Sequence, residues 1–100
     1  MYADCMIVEH AVFTVAEADA EKFESAYAQA KGLLEQTEGF LWAHMHRGVE
    51  RPGSFLLLIG WESLEAHNVN FRESERFPQW RALIGPYFAA DPKVEHYREV

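Results

Sequence analysis

Apolar and polar positions change their period several times along the chain, and each change marks an element. Met6-Ile-Val-Glu-His-Ala-Val-Phe-Thr-Val15 is rich in β-branched residues and has neither Gly nor Pro, which predicts a first strand. Between about Asp19 and Thr37 the period becomes helical. Phe23, Tyr27, Ala30 and Leu34 recur on one side, while Glu21, Glu24, Lys31 and Glu35 can face water. Asp19 suits the helix start and Gly39 the turn that follows it. Phe40 to Arg47 reads as a second strand, and the Glu-Arg-Pro-Gly turn at 50–53 leads into a third, Phe55 to Glu62, so the two should form a hairpin. Ser63 is a suitable N-cap, with Glu65 in the first turn, for a second helix running to about Ser74. Pro78 suits the start of a short further helix carrying Phe77, Trp80, Arg81 and Ile84, which the Gly85-Pro86 pair ends. After Pro92 comes a final strand, Val94 to Val100.

The order strand, helix, strand, strand, helix, strand predicts an α+β fold of the ferredoxin-like split βαβ kind (βαββαβ), an antiparallel sheet with its helices on one face, in one domain over residues 1–100. In the first strand Met6, Val8, His10 and Val12 alternate with Ile7, Ala11, Phe13 and Val15, so both faces are apolar; the run Phe55 to Trp61 behaves alike. Two helices cover only one face of such a sheet. An antiparallel sheet with its other face in water should alternate with polar residues, so the pattern predicts a homodimer packed sheet against sheet.

Composition narrows the classes of function. Hydrophobic residues at 49% and charged residues at 25% are ordinary globular usage and argue against a disordered chain. The net charge of −7 opposes attraction to phosphate backbones or anionic lipid, so neither nucleic acid nor a membrane surface is an expected partner. Phe55 to Trp61, the longest apolar run, is far shorter than the roughly 20 residues of a membrane span. The first residues lack the basic and apolar regions of a secretory signal, and a cytoplasmic location is expected. Cys5 is the sole cysteine, which rules out an internal disulfide, and no cation stands beside it in sequence to activate its thiol.

Candidate chemistry centres on five histidines. His44 and His46 share one face of a strand, a ligand-like spacing without an evident third ligand, so no metal is expected; His96 reads as an ordinary strand residue. His67, three residues after Leu64 and four before Phe71, falls on the inward stripe of its helix, and His10 points into one covered face of the first strand. A buried neutral imidazole beside an aromatic cavity is a candidate general base. Arg72, Arg76 and Arg81 lie among Phe71, Phe77 and Trp80, a grouping suited to an anionic aromatic ligand, and Trp42, Trp61 and Trp80 are core residues that a pocket could borrow as walls. Dinucleotide or phosphate loops, a nucleophile elbow and a zinc-protease helix motif are absent.

The segments Trp61-Glu-Ser-Leu-Glu-Ala-His67, Phe71-Arg-Glu-Ser-Glu-Arg-Phe77, Trp80-Arg81, Val94-Glu-His-Tyr97 and the Glu38-Gly39-Phe40 turn make the chain resemble the antibiotic biosynthesis monooxygenase (ABM) domain family over nearly its whole length. The resemblance implies a dimeric α+β barrel of two ferredoxin-like sheets. It also implies a cofactor-independent monooxygenase that oxidises a phenolic or quinol-type aromatic small molecule with O2. On that reading His67 or His10 is the base, Arg72 or Arg81 the oxyanion partner, and Trp61, Phe71 and Trp80 the walls. A non-catalytic binding or structural dimer is the alternative, and a haem-binding relative a third. At the positions that haem-degrading members use, this chain has His10, Phe71 and Arg81, all different from theirs. Quinol-oxidising members often carry an acid two residues before the third-strand aromatic, where this chain has Ile59.

Overall fold

A computed structural model describes residues 6–100. Strand β1 (Ile7–Thr14) is followed by helix α1 (Ala20–Glu35), the hairpin strands β2 (Phe40–Arg47) and β3 (Ser54–Trp61), a π-helical segment (Ala66–Phe71), helix α2 (Arg76–Ile84) and strand β4 (Lys93–Arg98). The strands lie in the order β2-β3-β1-β4, and every neighbouring pair is antiparallel. This is the ferredoxin-like arrangement that the element order predicts. Phe40–Arg47 agrees with the sequence reading at both ends, and the other strands shift by one or two residues.

The core lies between the sheet and the helices. Phe23, Ala26, Ala30 and Leu34 of α1 pack on Ala11 and Phe13 of β1 and on Phe55, Leu57 and Ile59 of β3. The opposite face carries Val8, His10 and Val12 of β1 beside Leu56 and Leu58 of β3, all partly exposed. Trp42, His44 and His46 extend that face across β2. Gly60 belongs to it by necessity, since a Cβ there would strike the Trp42 indole.

The second helical region departs from the sequence reading. A regular helix over residues 63–74 would put Leu64, His67 and Phe71 on one stripe; instead Leu64 is 46% exposed and the backbone widens to i→i+5 bonding from Ala66. Ser63 caps as expected, its Oγ accepting the Ala66 N–H at 3.1 Å. Asp19, the proposed cap of α1, makes no side-chain capping bond. Pro78 is the third residue of α2, which begins at Arg76.

Candidate active site

Between the helical face of the sheet and the π-helical segment lies a cavity of about 360 Å³. Glu9, Ile59, His67, Phe71, Trp80 and Val94 line it, with Arg72, Arg81 and Phe77 also at its wall. The π turn explains why so many of these come from one short stretch. Arg72 N–H donates to the His67 carbonyl at 3.0 Å, so five residues close the turn, and residues 71 and 72 fall on either side of residue 67 rather than rotating past it. The turn is anchored from outside: Asn70 Nδ2 donates to the Glu38 carbonyl at 2.9 Å, and Arg76 donates from Nη2 to the Asn70 carbonyl at 3.0 Å and from Nε to Thr37 Oγ1 at 3.1 Å.

Three side chains meet at one end of the cavity. Glu9 is 5% exposed; Trp61 Nε1–H donates to its Oε1 at 2.9 Å, and His67 Nε2 stands 3.3 Å from the same oxygen. On its other side His67 Nδ1 lies 2.8 Å from His96 Nε2. Trp61 stacks on the His67 ring, with centroids 5.4 Å apart and planes 17° apart, and fixes its orientation. Indole only donates, so Glu9 Oε1 accepts from Trp61; between the two imidazoles one ring must donate and the other accept.

Burial governs the charges here. It lifts the Glu9 carboxyl from 4.5 to about 7, opposed in part by the Trp61 hydrogen bond and the Arg72 charge. Burial, then His96 and Arg72, takes His67 from 6.5 down to about 4, and burial followed by Arg72 lowers His96 as well. Near neutral pH the Glu9–His67 contact is therefore an approach of the carboxyl to an uncharged imidazole and not an ion pair, while Glu9 can bind or release a proton. A carboxyl poised in this way in an apolar cavity is suited to general-base work.

Two of the three clustered arginines reach the cavity. The Arg72 guanidinium lies 5.5 Å from the centre of the Phe77 ring, and Arg81 lies 6.0 Å from Phe77 and 5.9 Å from Phe88. Neither forms an ion pair with a carboxylate among the described residues. Arg76 is committed to Thr37 and Asn70. His67, Arg72, Arg81, Phe71 and Trp80 are thus brought together, and Trp61 stands behind His67 as a support, itself wholly buried. His10 is not part of this group. It lies on the opposite face of the sheet, 5.2 Å from the Tyr97 ring, because even-numbered residues of β1 point away from the helices. That also separates it from Phe71 and Arg81, so the three haem-related positions do not form one site. His44 stacks on Trp42 at 5.4 Å on the outer face, and no group of three or more His, Cys, Asp or Glu among the described residues is placed to hold a metal ion. Cys5 lies outside the described residues.

Glu9 and His96 are the residues that the sequence reading missed. Glu9 was visible as an acid inside the inward set Ile7, Ala11, Phe13. In the β1–β3 register it stands directly opposite Ile59.

The sequence profile described as antibiotic biosynthesis monooxygenase (ABM) matches residues 6–83. The chain belongs to the ABM family. Among ABM-like proteins, a solved structure from Bordetella bronchiseptica, named as a candidate antibiotic biosynthesis monooxygenase, is 36% identical and superposes with a TM-score of 0.92 over 96% of this chain and 98% of that one. A Bacillus subtilis (strain 168) protein of uncharacterised function, YczJ, is 32% identical over 95% of this chain and all of its own length. SnoaB of Streptomyces nogalater, a cofactor-independent oxygenase solved as a point mutant, shares the ABM fold at a TM-score of 0.78 and 17% identity, over 94% of this chain and 92% of that one.

Proposed function

We propose that the cavity binds a phenolic or quinol-type aromatic molecule and oxidises it with O2 without flavin, haem or metal. The observation that carries this reading is Glu9, a buried carboxyl that titrates near neutral pH inside an aromatic cavity flanked by two guanidinium groups. In such a reaction a base removes the phenolic proton, the electron-rich anion reduces O2, and the resulting peroxide collapses to a quinone and water. The base is Glu9, held by Trp61 and His67; this replaces the sequence-based assignment of proton abstraction to His67, both of whose ring nitrogens are engaged. Arg72 and Arg81 favour the phenolate over the phenol, and Phe71, Phe77 and Trp80 form an apolar slot that excludes water. A volume of about 360 Å³ suits a small aromatic and falls at the lower end of ligand pockets.

The reading includes a homodimer paired through the outer face of the sheet, where Val8, His10, Val12, Leu56 and Leu58 form an apolar surface.

The test is oxygen consumption with hydroxylated naphthalenes and anthrones and no added cofactor. Turnover well above autoxidation, with kcat lowered about 10²–10⁴-fold by Glu9→Gln, is the expected result. If several compounds quench tryptophan fluorescence but none is oxidised, the protein is a binding module. If none binds, the cavity has no such ligand.

A further inference from the structure

Glu9 and His96 are cross-strand partners in the β1–β4 register, both on the helical face of the sheet, and His67 comes down between them from the π turn. Glu9 and His67 are enclosed, whereas His96 is partly exposed on β4, an edge strand of the sheet. The contacts run without a break from the cavity to that edge: Glu9 Oε1 to His67 Nε2 at 3.3 Å, then His67 Nδ1 to His96 Nε2 at 2.8 Å. Imidazole can take a proton on one nitrogen while giving one up from the other, so a histidine held at both nitrogens is built to pass protons and not only to orient a neighbour.

We infer that Glu9, His67 and His96 form a proton path that carries the substrate's proton out of the cavity and returns it later in the same turnover. This rests on the oxygenase reading above. Glu9 is the group that meets the substrate; His67 and His96 are positioning residues that relay the proton. In the outward step the phenol O–H bond breaks, and the proton passes to the Glu9 carboxylate, leaving a phenolate. The carboxylic acid turns its O–H to His67 Nε2 and gives up the proton as His67 Nδ1–H gives its own to His96 Nε2. Glu9 is again a carboxylate, and His96 at the edge carries the proton transiently. Moving the proton two residues away keeps it from recombining with the phenolate before O2 reacts.

The return step balances the reaction. O2 is reduced by the phenolate and bonds to a ring carbon as a peroxide anion, which takes back the stored proton through the same three residues. The hydrogen on that ring carbon then leaves as a proton while the O–O bond breaks. One oxygen stays on the ring as the new carbonyl; the other departs as hydroxide and joins that proton as water. No net proton is made, and the reverse hop restores both imidazole tautomers.

The experiment follows ionisation of 4-nitrophenol on binding, below its own pKa, by the rise of the yellow phenolate absorbance in stopped flow. The intact protein, His96→Gln and His96→Ala are compared; His96 is partly exposed, and Gln can still hydrogen-bond to His67. Both variants should ionise the bound probe at least about tenfold more slowly with affinity nearly unchanged, and added imidazole should restore His96→Ala. Hydroxynaphthalene turnover should follow the same order. Wild-type speed in His96→Gln overturns the path, because it shows that His96 only holds His67 in place, and leaves the oxygenase reading standing. Slow ionisation in His96→Ala that imidazole does not restore also overturns it. If the intact protein fails to bind the probe or binds it without ionising it, the oxygenase reading itself fails and the path falls with it.

Discussion

Glu9 and His67, although in contact, oppose each other in their effect on stability. Glu9 is protonated up to about pH 7 in the folded chain but only to 4.5 when unfolded, so its contribution is full below 4.5 and is lost as pH rises towards 7. His67 stays neutral down to about 4 when folded but protonates below 6.5 when unfolded, so its contribution is full above 6.5 and is lost as pH falls towards 4. Between 4.5 and 6.5 the two slopes have opposite sign and the pair leaves stability nearly flat. Single substitutions should unmask each slope in urea midpoints: Glu9→Gln leaves stability that rises from pH 4 to 6.5, and His67→Asn leaves stability that falls from pH 4.5 to 7. The Glu9 span is on the order of 3 kcal/mol. Tyr27 offers an independent check. Its Oη is buried without a hydrogen-bond partner among the described residues, and burial, then the Glu35 charge, pushes its pKa up to about 12. Tyr27→Phe should raise stability by about 1 kcal/mol, since it removes an unmet hydroxyl and keeps the ring against Trp80. His67 and the arginines were legible in the sequence because helical spacing brings them together. Glu9 was not, because an acid in an apolar strand set is ordinarily assigned to the solvent side; only the burial of that face shows it turned inward.

At the scale of elements, the π turn is what aligns the cavity wall, and the turn into β2 holds it in place. Gly39 has φ +94°, and a Cβ there would lie 2.5 Å from the Ala66 Cβ, at the first residue of the π turn. Gly39→Ala should therefore cost about 1–3 kcal/mol in chemical denaturation and weaken ligand binding as well, because the backbone strain and the push on Ala66 act on the same segment. Deleting Val69, which is 41% exposed, should let the turn close as an ordinary helix. Helical circular dichroism should persist while affinity for aromatic ligands falls more than about tenfold, since Arg72 would take the place four residues after His67 that Phe71 now holds in the cavity wall. Strand and helix order followed from periodicity alone, as Phe40–Arg47 illustrates. The π turn did not, because the Leu64, His67, Phe71 spacing fits a regular helix and the extra residue in the turn leaves no mark in composition. The pairing of His96 with Glu9 was equally hidden, for it depends on where the chain from Gly85 to Pro92 sets β4 against β1.

For the whole molecule, the outer sheet face is the surface on which the proposed homodimer rests. In the proposed homodimer an interface of more than roughly 2,000 Å² is expected, and sedimentation should find no folded monomer at micromolar concentration. Leu58→Asp, placed in the middle of that face opposite His10, should split or unfold the dimer without altering any residue that lines the cavity. β1 is shared between the two surfaces: Glu9 turns to the cavity and His10, its neighbour in sequence, turns to the outer face. One peptide unit separates the acid from the surface assigned to the partner. A strand only one residue thick cannot bend on one side and stay still on the other, so in the proposed homodimer the partner is a backing plate for the carboxyl. Concentration then becomes a variable of the chemistry itself, and specific activity should decline on dilution at the same point where the protomers separate.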